Sequence, residues 1–160
     1  MTASLIPLFV VQWLHVIGGL VWAGGALVGG YLLPRAMVDK PAPAGRAVYD
    51  PFIKTAGPLM EAAGITVLLA GLLRGTLFGP VHSFAIAFGT AYGLTWITAL
   101  LFSMVFAGHS GHWHKRMPEL IWNEELKGAE AKRLIDRHGL VSLVLFLGII
   151  ACMVLMRLGL

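Results

Sequence analysis

"LIPLFVVQWLHVIGGLVWAGGALVGGYLLP", residues 5–34, contains no charged residue. About 20 apolar residues span a bilayer core, so the stretch reads as a membrane helix with length to spare. Residues 75–108 and 139–156 are also free of Asp, Glu, Lys and Arg, and residues 55–73 are interrupted only by Glu61. Composition agrees: 58% of the chain is hydrophobic and 12% charged, against about 25% charged in a soluble domain. The expected fold is all-α, an integral membrane four-helix up-down bundle. It forms a single transmembrane domain over residues 1–160, with helices near 5–33, 55–78, 82–109 and 130–158.

Charge placement gives a topology. Arg35, Lys40, Arg46 and Lys54 fall in the first connection. Lys115, Arg116, Lys127, Lys132, Arg133 and Arg137 fall in the third. Only Arg74 and Arg157 lie on the other side. By the positive-inside rule the ten mark the cytoplasmic face of a bacterial-type plasma membrane, with both termini outside. Split between two loops, these charges suit anionic lipid headgroups and argue against nucleic-acid binding. No basic residue precedes the first apolar run, so that helix is expected to be retained rather than cleaved. The lone Cys152 excludes a disulfide within the chain.

The first connection, "PRAMVDKPAPAGRAVYDPFIK", carries Pro34, Pro41, Pro43 and Pro51, which argue against a continuous helix there. A tight turn is expected at Gly79-Pro80. The segment "AEAKRLIDRHG" is made of good helix formers, with Glu130 three residues before Arg133, and extends helix four.

On helix one, His15, Gly18, Trp22, Gly25 and Gly29 share a face. Small residues on a face admit a neighbouring helix or leave space for a flat cofactor. A histidine inside a membrane span is a functional hypothesis by default, and neutral imidazole is a common ligand of haem iron and copper. The alternative is a hydrogen bond across a helix interface. Helix two repeats the pattern with Gly57, Glu61, Gly64, Leu68 and Gly71. An unpaired Glu61 would be expensive there, so it is expected to be protonated or paired, with Arg35 the first partner. The pair reads as a structural ion pair, or as a proton relay or quinone-site carboxylate.

"GHSGHWHKRM" is the densest constellation, with His109, His112 and His114 within six residues and Met117 after them. It suits copper or zinc ligation, inner haem ligands, or an interfacial belt without metal. Axial haem ligands need similar depth. His15 sits in the outer half and His82 is the only other outer histidine, giving His15/His82 as one bis-histidine pair. His109 and His138, both near the inner edge, are better matched in depth. Met153 lies in the outer half, which leaves His15/Met153 ligation geometrically open.

"LHVIGGLVWAGGALVGGYLLPR" resembles the first helix of the copper-resistance protein D superfamily, in which a histidine is followed by a tryptophan and paired small residues. It is also similar to the first helix of the haem-binding J-type protoporphyrinogen oxidases, whose Tyr-Leu-Pro-Arg element corresponds to "YLLPR". "GHSGHWHKRM" and "RLIDRHGLVSLVLFLGII" are similar in layout to their last two helices. The likeness covers most of the chain in topology and only helix one in motif. It implies that His15 corresponds to the haem-ligating histidine of the oxidases, and His109 to a histidine ending their third helix.

Together these readings give a b-type haem-binding membrane protein acting in electron transfer, with cofactor candidates His15, His82, His109 and His138. The alternatives are a copper-handling membrane protein using His109, His112, His114 and Met117, or a cofactor-free structural or assembly subunit of a respiratory complex. A porphyrin-directed enzyme is a further alternative. Expected partners are the bilayer and either respiratory-complex subunits or a second copy.

Overall fold

A computed structural model describes residues 5–122 and 128–160, which form helices joined by short connections, with no strand among them. In chain order these are α1 (Leu5–Met37), α2 (Ala42–Thr76), a short α3 (Phe84–Gly89), α4 (Ala91–Trp122) and α5 (Gly128–Arg157). All but α3 are long and apolar enough to cross a membrane, and the chain is a multi-pass membrane protein. At 1.5 Å per residue α2 is about 50 Å long, more than the roughly 30 Å hydrocarbon core, so its end projects beyond the lipid. Lys127, among the basic loop residues, lies outside the described residues.

The first connection differs from the sequence expectation. Helix two begins at Ala42 and runs through Pro51 and Pro58, leaving only residues 38–41 between α1 and α2. Pro41 stands at the N-cap and Pro43 in the first turn, where a missing N–H is harmless. The interior prolines each remove one helical hydrogen bond, a loss that membrane helices accommodate through neighbouring groups and local adjustment. In the same way α4 continues through Pro118 to Trp122, well past residue 109, so "GHSGHWHKRM" is helical.

Helix α1 is interrupted by a π-helical turn at Val28–Leu32. The α-helical partner of the Gly30 carbonyl would be the N–H of residue 34, which is proline and has none. The Trp113 indole supplies the missing donor, with Nε1 at 2.8 Å from that carbonyl. A proline on α1 thus determines where an aromatic of α4 docks. Thr90 joins α3 to α4: its hydroxyl donates to the Ile86 carbonyl at 2.7 Å and accepts from the Gly93 N–H at 3.0 Å.

Helices α1 and α2 form one antiparallel pair and α4 and α5 another; α2 packs on α4, and the far half of α1 packs on α5. Without a hydrophobic driving force in lipid, such association rests on close packing. Here that packing is ring against glycine. A carbon added at Gly64 would stand 3.1 Å from the Trp22 indole, one at Gly148 2.8 Å from the Phe102 ring, and one at Gly139 2.5 Å from Tyr31. Met60 fills the space over Gly25, and Trp122 the space over Gly45. Of the two readings of these glycine faces, helix approach or room for a flat cofactor, the contacts fit the first: the glycines mostly seat the protein's own side chains.

Two buried clusters result. Trp22, Ala63, Val67, Phe106 and Ile149 form one, with Trp22 and Phe106 edge to face at 4.9 Å. Tyr49, Trp113, Met117, Trp122 and Ile135 form the other, with Tyr49 and Trp122 at 5.2 Å. At the basic end, ion pairs tie α1 and the loop after it to α5: Arg35 Nε to Asp136 at 3.0 Å and Lys132 to Asp39 at 2.7 Å. The expected Arg35–Glu61 pair is therefore corrected. The end of α1 leans on α5 beyond the π turn, which brings Arg35 to Asp136, whereas Glu61 is exposed on the flank of α2.

Candidate cofactor site

His15 is half-buried on α1, facing α2. Its Nδ1 lies 3.1 Å from the Val67 carbonyl. A carbonyl only accepts, so Nδ1 carries the imidazole proton, and the neutral ring keeps its lone pair on Nε2. A histidine whose second nitrogen donates to a backbone carbonyl is the arrangement that prepares imidazole for a metal. The ring packs on Gly71, where an added carbon would stand 3.3 Å from Cε1. That glycine's carbonyl accepts from Trp96 Nε1 at 3.2 Å, so one turn of α2 holds both His15 and Trp96.

His15 lines a cavity of about 210 Å³ between α1, α2, α4 and α5. Arg74 and Arg157, the two basic residues of the sparse side, line it too, with Tyr92, Ser103 and Met153. The structure thus brings His15 and Met153 to one cavity. His82 is exposed in the loop before α3 and does not line it. Sequence reasoning missed the arginines as site residues. The signal available was Arg74 three residues after Gly71 and one before Gly75, on the helix face that admits His15 and Trp96.

A second imidazole group lies at the other end. His138 of α5 is sandwiched between His109 (centroids 4.4 Å apart, planes 20° apart) and Trp113 (4.3 Å, 10°). Its Nε2 is 3.4 Å from the Ser142 hydroxyl, and it packs over Gly30 of the π turn. His114 meets the Tyr49 hydroxyl through Nδ1 at 3.2 Å and packs over Gly29. Among the described residues, His109 Nε2, His114 Nε2 and His138 Nδ1 are buried with no hydrogen-bond partner. The His109 and His138 rings lie face to face, whereas axial ligands approach an iron from opposite sides.

The copper set is not assembled as a set. The helix carries His112 to an exposed face, and Met117 is fully buried in the core with Tyr49 and Ile135. Among the described residues no three His, Cys, Asp or Glu side chains form a group fit to hold a metal ion.

A third feature is a cleft of about 450 Å³ between α1, α2 and α4, lined by Trp22, Met60, Glu61, His114 and Lys115 among others. Leu68 lines both this cleft and the His15 cavity.

No family model matches the chain, and no curated protein or solved structure matches it.

Proposed function

We propose that the protein is a membrane b-type haem protein that transfers electrons, in which His15 would hold the iron through Nε2. The observation that carries this reading is the His15 Nδ1–Val67 carbonyl bond at 3.1 Å, which leaves Nε2 as the lone-pair nitrogen beside a cavity holding two arginines. The donor set suits the group: imidazole for iron, the Met153 thioether as a second donor, and Arg74 and Arg157 for two propionates. Bound haem supplies one-electron chemistry; the protein orients it and sets its potential. The cavity is smaller than the roughly 300–1,000 Å³ of cofactor-sized sites. Met153 and Arg157, on the end of α5 that walls the cavity, are exposed.

The resemblance of helix one to the copper-resistance protein D superfamily and the J-type oxidases supports the same ligand. In this reading the basic end faces the cytoplasm of a bacterial-type plasma membrane, and the haem lies toward the outer surface. The test is the absorption spectrum of protein purified from haem-replete cells, oxidised and then reduced. A Soret band that shifts on reduction, with a sharpened α-band, is expected; its absence from folded protein overturns the reading.

A further inference from the structure

We infer that the cleft between α1, α2 and α4 binds the ring of a lipid-soluble quinone. Glu61 lies 13 residues from Arg74 along α2, about 20 Å at 1.5 Å per residue. With Arg74 at one interface of a core roughly 30 Å thick, the carboxyl sits inside the hydrocarbon. There a carboxyl needs a partner, yet among the described residues Glu61 forms no ion pair or hydrogen bond. Lys115 lines the same cleft from α4 without pairing to it.

These groups specify the occupant. Trp22, Met60 and Ile65 give the cleft apolar walls, and Ile65 is exposed on the lipid flank, so entry is from the bilayer. The polar groups are of opposite kind. A carboxylate takes a hydroxyl proton donor, and an ammonium gives protons to a carbonyl oxygen. A quinol presents the donors and a quinone the acceptors, each on a flat apolar ring. A phosphate headgroup would instead place its charge against Glu61. His114, held by Tyr49 and with Nε2 buried and unpartnered among the described residues, lines the cleft beside Lys115. The shared wall at Leu68 puts the ring next to the His15 cavity. Preference for a quinone over a redox-inert lipid rests on the electron-transfer reading.

The test uses the full chain in quinone-free nanodiscs, titrated with decylubiquinone and menadione while tryptophan fluorescence is followed. Saturable quenching is expected. The Lys115→Ala variant, which removes the donor to a quinone carbonyl, should weaken binding tenfold or more, and Ile65→Trp, which fills the cleft from its exposed edge, should do the same. Trp22→Phe should remove most of the quench. Quenching that rises linearly without saturation, or that both cleft variants leave unchanged, overturns the proposal. His15→Ala separates the two sites: quinone binding that persists in it without a Soret band supports the cleft, and a wild-type Soret band without saturable quenching overturns the cleft alone.

Discussion

The imidazole of His15 donates its Nδ1 proton to the main-chain carbonyl of Val67, 3.1 Å away on the neighbouring helix. That bond fixes the tautomer of a histidine within a membrane helix and leaves the lone pair on its other nitrogen.

Arg74 and Arg157 line the His15 cavity. A charge-assisted hydrogen bond contributes roughly 1.5–3 kcal/mol, about tenfold or more in affinity. The Arg74→Gln/Arg157→Gln double variant should therefore retain haem at least about tenfold less tightly, measured by transfer to apomyoglobin. Unchanged transfer would remove the arginines from the site.

Gly64 lies against the Trp22 ring, 3.1 Å from where a side-chain carbon would stand, whereas Gly24 has no neighbour within 4 Å of that point. Gly64→Val should destabilise the bundle by about 1–3 kcal/mol through overpacking. Gly24→Ala should be neutral, or stabilising by up to about 1 kcal/mol through helix propensity. Unfolding in mixed micelles distinguishes the two; equal effects would contradict the packing described.

Trp113 supplies the Gly30 carbonyl with the donor that Pro34 lacks. Trp113→Phe preserves an aromatic face for His138 but leaves a buried carbonyl short of a donor. The expected cost is about 1–3 kcal/mol. A Pro34→Ala background, which restores a main-chain N–H, should shrink that cost; equal costs in both backgrounds would refute the linkage.

Arg35 and Asp136 are partly exposed at the basic end. A double-mutant cycle on them should give a coupling of about 0–1 kcal/mol that falls with added salt. A large, salt-insensitive coupling would show a desolvated pair instead.

The spans were legible because uncharged runs and bilayer thickness leave little choice, and the start of α5 agreed with its helix-forming residues. Helix ends were not. Pro51 looks like a breaker, but a membrane helix runs through it, as α4 runs through Pro118. Partner choice was also hidden: Gly25 and Gly64 signalled close approach without saying that Met60 and Trp22 fill the space. Arg35 met Asp136 rather than Glu61 because the π turn at Val28–Leu32 carries the end of α1 toward α5. The exposed position of His112 followed from α4 extending past residue 109.

Haem titration into detergent-solubilised apoprotein, wild type beside His15→Ala, tests the central claim most directly. The account predicts a stoichiometric Soret transition in the wild type and only weak, non-saturating absorbance in His15→Ala, with helical circular dichroism equal in both. An equal Soret transition in the two proteins would contradict it.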